Sequence, residues 1–194
     1  ASSGASNVNG LSDALIEDNS LYLGQDPSST TSTAEYNLSI GATALDAVTT
    51  GDANIAIGHD ALSANTTGSG NIAIGYGAYD NADTEGNNLA MGRGALGGSI
   101  NGGETNIAIG NYSLDANTSG DRNVALGYVA LTQNSTGTYN VAIGSGASQL
   151  NSSGSSNTSL GNNSMYSNTS ANYNTAIGAE ALYDIARTSD TDGY

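Results

Sequence analysis

Asn54-Ile55-Ala56-Ile57-Gly58 and Asn71-Ile72-Ala73-Ile74-Gly75 are the same five residues, set 17 positions apart. The pattern Asn-(Ile/Leu/Val/Thr)-(Ala/Ser)-(Ile/Leu/Met)-Gly continues outward from them in both directions. It opens at Asn37, Asn54, Asn71, Asn88, Asn106, Asn123, Asn140, Asn157 and Asn174, and closes at Gly41, Gly58, Gly75, Gly92, Gly110, Gly127, Gly144, Gly161 and Gly178. Every step is 17 residues except Asn88 to Asn106, which takes 18. Seventeen residues before Asn37, the run Ser20-Leu21-Tyr22-Leu23-Gly24 is a degenerate first copy. A fixed period of this kind marks a repeat architecture.

Each unit has the same internal grammar. Two variable residues follow the Gly, then a small one (Ala44, Ala61, Ala78, Ala95, Ser113, Ala130), then a larger apolar one (Leu45, Leu62, Tyr79, Leu96, Leu114, Leu131). Ser148 breaks the apolar column, and Leu150 is expected to compensate. A polar turn comes next, as in Asn65-Thr66-Thr67-Gly68 or Asn134-Ser135-Thr136-Gly137. The pentapeptide is too short for a helix and is bounded by turn residues, so it reads as a strand. Its closing Gly suits a backbone with φ > 0, where a Cβ would clash.

Extended chain rises ~3.3 Å per residue, so one unit makes a coil of ~56 Å perimeter: flattened, thin inside, with two short strands expected per turn. Coils stacked ~4.8 Å apart place Ile over Ile and Asn over Asn, and ten of them build a rod ~50 Å long. Amide side chains in such a column are expected to hydrogen-bond along it. The fold class is therefore all-β, a parallel β-solenoid of about ten 17-residue coils. Residues 20–183 form the repeat domain, 1–19 a lead-in or cap, and 184–194 the start of a further coil or a C-terminal tail. The chain is expected to belong to a longer array.

Composition agrees with a narrow core. The 194 residues include 27 Gly and no Phe, Trp, Lys or Cys. Without large aromatics one wide core is hard to fill at native density, whereas a thin repeated one is expected to close with Ala and Ile. The net charge of -15, with three Arg, repels phosphate backbones and anionic bilayers, so neither nucleic acid nor membrane insertion is expected. Zero Cys leaves no disulfide framework, which fits an exposed, extracellular protein stabilised by other means.

In Ile55-Ala56-Ile57 alternate side chains point to opposite faces, and both faces are apolar. A strand apolar on both sides implies a cover outside the coil as well as inside. The economical cover is another copy of the chain in a closed cyclic oligomer, with three chains about a fibre axis the arrangement expected.

Catalytic chemistry finds little footing, and no enzyme is expected. His59 is the only histidine, and it stands in a variable position after Gly58, so a nucleophilic triad is not supported. Asp46, Asp80 and Asp115 share one position, with Ser63 and Gly97 between them. Skipping coils relieves repulsion between like charges that would otherwise stack ~4.8 Å apart. Asp52, Glu104 and Asp121 share another position but alternate with Ser69, Gly86 and Thr138, so a periodic calcium site is not expected, while isolated calcium ions are allowed. No other cofactor is implied. The residue after the repeat Gly varies most: Ala42, His59, Tyr76, Arg93, Asn111, Tyr128, Ser145, Asn162, Ala179. Tyr76, Arg93 and Tyr128 are the candidates for a recognition surface toward a host receptor or glycan, since aromatic faces and polar tips suit wet sites.

The Asn-x-Ala-Ile-Gly-x-x-(Ala/Ser) unit resembles the left-handed β-roll heads of trimeric autotransporter adhesins. It is still more similar to repeats of phage tail-fibre proteins, in strings such as Asn174-Thr175-Ala176-Ile177-Gly178 followed by Ala181-Leu182, and in the lead-in Leu21-Tyr22-Leu23-Gly24-Gln25-Asp26-Pro27-Ser28-Ser29-Thr30. The resemblance covers roughly residues 20–183. It implies a left-handed, homotrimeric β-roll acting as a structural and adhesive segment of a virion tail fibre, with a bacterial surface adhesin head as the alternative. The 17-residue unit departs from the shorter adhesin unit, and neither a coiled-coil stalk nor a membrane-anchor segment is seen, which places the viral fibre first. An ice-binding solenoid is a third class, resting on the turn column Thr50, Thr67, Thr84, Ser119, Thr136, Ser153 and Ser170.

Overall fold

The computed structural model describes residues 14–17, 19–24, 32–98 and 101–184. It is a parallel β-solenoid of nine to ten coils. One sheet runs its whole length, with its strands in sequence order. Strand β1 (Ala14–Glu17) pairs antiparallel with β2 (Ser20–Gly24) and so occupies the free edge of the first coil. From β2 onward every pairing is parallel, through β3 (Leu38–Gly41), β4 (Ile55–Ile57), β5 (Ile72–Ile74), β6 (Leu89–Met91) and β7 (Ile107–Ile109) to β8 (Val124–Leu126), β9 (Val141–Ile143), β10 (Thr158–Leu160) and β11 (Thr175–Ile177). Like stacks on like: Ile55 pairs with Ile72 and Ala56 with Ala73.

The expectation of two strands per coil is corrected: among the described residues each coil from β3 onward carries one strand. The reason is local. Across from the strand, left-handed residues recur two apart: Asp60 and Leu62 (φ 58 and 52), Tyr112 and Leu114 (58 and 51), Val129 and Leu131 (51 and 50). Extended geometry cannot persist through that alternation. Coil-to-coil hydrogen bonds persist nonetheless, from turn to turn, as in Leu62 N–H to Ala78 O (3.1 Å) and Thr66 N–H to Asp83 O (2.9 Å). Burying Leu offsets the strain of a left-handed backbone, which costs of order 1–3 kcal/mol per residue.

The interior is filled by the central strand residue (Ala56, Ala73, Ala90), the small residue and the Leu that follow the corner, and two columns of Asn, all buried. Ser148 is buried as well, its Oγ donating to Ser159 Oγ at 2.9 Å. Leu150, expected to replace it, is only half-buried, so the hydroxyl pair takes the Leu position instead.

The 18-residue coil keeps strand register, since Leu89 pairs with Ile107. Leu96 N–H still reaches Ser113 O, and Asn101 N–H already reaches Thr118 O, so the extra residue lies between Leu96 and Asn101. Glu85, buried where the neighbouring coils have Gly68 and Gly103, braces this irregularity. Its carboxylate accepts from Gly102 N–H (2.8 Å), Asp83 N–H (3.2 Å) and Thr84 N–H (3.2 Å). Of the 184–194 segment only Asp184 lies within the described residues, and 25–30 of the lead-in string lie outside them.

Candidate functional site

The repeat asparagines lie inside the wall. Asn140 Nδ2 donates across the coil to Gly154 O (2.8 Å), closing the turn onto the strand start, while its Oδ1 accepts the backbone N–H of Asn157 (3.0 Å) in the next coil. The same two bonds recur for Asn37, Asn54, Asn106 and Asn123. The column thus links side chain to backbone more than amide to amide. The turn asparagines make a true amide ladder, with Asn134, Asn151 and Asn168 each donating Nδ2 to Oδ1 of the Asn one coil earlier. Asn65 stands between Val48 and Ala82 in this column, and its buried Oδ1 has no partner.

The corner glycines stack in a file. Gly144 has φ 134, and a Cβ there would lie 2.4 Å from Gly161 O; Gly58 and Gly110 show the same approach to Gly75 and Gly127. Acids two before the repeat Asn also serve the stack, since Asp52 Oδ1 accepts Glu35 N–H and Asp121 Oδ1 accepts Glu104 N–H, each at 2.8 Å. Among the described residues no three His, Cys, Asp or Glu converge on one point suited to a metal ion.

Two outer surfaces remain. The first is the strand face. With Ala inward, the flanking residues of each strand point out, forming two parallel files: Leu38, Ile55, Ile72, Leu89, Ile107, Val124 and Val141 beside Ile40, Ile57, Ile74, Met91, Ile109, Leu126, Ile143 and Leu160. Ile40, Met91, Ile107, Leu126 and Leu160 are exposed and the rest half-exposed. At ~4.8 Å per strand and two side chains across, the face presents about 500 Å² of contiguous apolar surface.

The second surface follows the corner glycine. His59 stacks on Tyr76 with ring centroids 5.4 Å apart, and Arg93 lies over the Tyr76 ring at 5.5 Å and the Tyr112 ring at 5.9 Å. Of the three residues proposed from sequence, Tyr76 and Arg93 therefore meet, while Tyr128 stands exposed outside their cleft. That cleft, of about 180 Å³, is lined also by Gly77, Gly94, Gly97, Asp80 and Asp115. Tyr112 escapes the sequence reading, whereas Asp80, Gly97 and Asp115 are legible in it as one column, there explained by relief of repulsion alone. Burial pushes the carboxyls of Asp46, Asp80 and Asp115 above the ordinary 3.8, with Asp60 and Asp115 adding repulsion at Asp80. Among the described residues the only basic side chain within 4 Å of a carboxylate is His59, at 2.7 Å from Asp60, so Arg93 meets its aromatic neighbours without a carboxylate partner.

The Ser/Thr turn column is exposed, and the hydroxyls beside it bond along the stack: Thr49, Thr118, Ser135 and Ser152 each donate to a carbonyl of the following coil. No helix among the described residues is long and apolar enough to cross a membrane. No protein-family model, curated protein or solved structure matches this chain.

Proposed function

We propose that this chain is a structural and adhesive fibre segment, non-enzymatic, that assembles with copies of itself through its strand face. The carrying observation is the strand face: two apolar files that run side by side from β3 to β9, with no charged side chain among them. An apolar patch of this size marks an interaction surface rather than ordinary exposure. Because the face is built from identical coils, a second copy matches it in both length and spacing, and cyclic closure leaves none of it in water. Three chains about the rod axis is the order we favour, and with it the left-handed β-roll, in an extracellular setting. The virion tail fibre is placed before the bacterial adhesin head on the resemblance of the repeat unit. The hydroxyls flanking the turn column are spent on the following coil, which leaves the ice-binding alternative a single exposed Ser/Thr file rather than a two-wide array.

Sedimentation equilibrium tests the reading. The wild type is expected at the mass of three chains of 19.2 kDa each. Ile74→Lys combined with Ile109→Lys places two charges in the middle of the face, and is expected to yield monomer with an unchanged far-ultraviolet β spectrum, because an unpaired charge is costly to bury. A wild type that stays monomeric at about 100 μM, far above the dissociation constants usual for stable assemblies, overturns it.

A further inference from the structure

We infer that the cleft between Tyr76 and Tyr112 is a binding site for one neutral sugar ring of a glycan. This rests on the adhesive half of the proposed function and is independent of the assembly.

The cleft exists because two successive coils lack a side chain at one place and the second of them lacks one at another place as well. Position for position, Gly77 and Gly94 stand between Asp60 and Tyr112, and Gly97 stands between Asp80 and Asp115. Among the described residues that second coil is the only one with glycine at both places, and it is also the 18-residue coil, so the gap coincides with the single break in the period. The coils on either side supply the walls: an aromatic ring and a carboxylate from each.

The chemistry of those walls selects the ligand. Two tyrosine rings wall the cleft; with Arg93 over both and His59 stacked on Tyr76, they offer ring edges to the C–H groups of a sugar. Two carboxylates accept hydrogen bonds from hydroxyls, and such charge-assisted bonds are the stronger kind. Arg93 brings guanidinium donors for hydroxyl or ring oxygens, and it has no competing ion pair. An anion would meet both carboxylates, and an organic cation would compete with Arg93 for the same ring faces. A neutral polyol, donor and acceptor at every carbon, satisfies all of these groups together. The size agrees: a cleft of about 180 Å³ suits one pyranose ring rather than an oligosaccharide. Neighbouring sugars of a chain would extend along the rod past His59 or Tyr128.

The repeat itself supplies variants with a precedent in the fold. Tyr occupies the Gly97 position in other coils, as Tyr166 and Tyr183, so Gly97→Tyr fills the cleft with a tolerated residue. Ala occupies the Tyr76 position as Ala42 and Ala179, so Tyr76→Ala removes one wall. Tyr128→Ala is the control, in the same column and outside the cleft. The full chain would be titrated by saturation-transfer NMR with the methyl glycosides of glucose, galactose, mannose, fucose and N-acetylglucosamine. At least one is expected to bind with a dissociation constant on the order of 1 mM, weakened about tenfold or more by Gly97→Tyr and by Tyr76→Ala, and changed less than about twofold by Tyr128→Ala. Binding of none of them at about 20 mM, or binding that both cleft variants retain, overturns the proposal. Sedimentation reports assembly separately. A trimer that binds no sugar sinks the cleft alone, and a sugar-binding monomer sinks the assembly alone.

Discussion

Asn140 holds two neighbours in place with one side chain, and the two roles can be separated. Its Oδ1 accepts Asn157 N–H, and its Nδ2 reaches Gly154 O. Asn140→Ala leaves a buried donor and a buried acceptor unpaired, at about 1–3 kcal/mol each. The chain contains its own partial replacement, because Ser20 stands at the same position and its Oγ accepts Asn37 N–H at 2.9 Å. Asn140→Ser is therefore expected to cost roughly half as much as Asn140→Ala, since it restores the acceptor for the next coil but cannot reach the turn. Urea unfolding of the two variants checks the order, and equal losses would mean the coil-to-coil bond contributes nothing. Asn65 shows the converse: between Val48 and Ala82 its Oδ1 is stranded, whereas Asn117, Asn134 and Asn151 complete one another.

At the scale of the coil, the corner decides whether units can stack. A side chain at Gly144 would meet the backbone of Gly161 at 2.4 Å, from a φ of 134 that only glycine adopts readily. Gly144→Ala is expected to destabilise by about 3 kcal/mol or more, since both strain and backbone contact must be relieved. In a stacked array the damage stays near its source, because each coil touches only its neighbours. Hydrogen exchange is expected to show lost protection in β9 and β10 while β4 and β5 keep theirs; uniform loss along the rod would refute that locality. The strands were legible from periodicity alone. The left-handed zigzag opposite them was not, because Leu, Val and Tyr carry no propensity signal for φ > 0, and stacking imposes it on them.

For the whole molecule, charge sets the response to pH. Asp46, Asp80 and Asp115 hold their protons more tightly when folded than when unfolded, with desolvation the first cause. For a carboxyl shifted upward, the stabilising contribution is complete below its ordinary 3.8 and is lost as pH rises through the folded value. Loss of net negative charge on acidification, from -15 at pH 7, acts in the same direction by reducing self-repulsion. The melting temperature is thus expected to rise from pH 7 toward about pH 4, the reverse of ordinary acid denaturation. Salt screens the general repulsion but not the desolvation, so part of the slope should survive in high salt and disappear in the triple variant Asp46→Asn, Asp80→Asn, Asp115→Asn. Melting curves across pH at two ionic strengths decide it; a fall in stability on acidification would show that carboxylates stabilised when ionised dominate instead.

Sequence alone determined the period, the identity of the stacked columns and the two-sided apolar character of each strand, because a solenoid repeats one local solution and writes it in the chain at every turn. The tertiary structure decided what depends on residues that are neighbours across coils but 17 or 18 apart in the chain. It turned the isoleucines outward and the alanines inward, committed the Asn amides to the backbone of the adjoining coil, and gathered Tyr76, Arg93 and Tyr112 around Gly97. Periodicity tells which residues share a column; only the wound backbone tells which side of the wall a column faces and which columns meet.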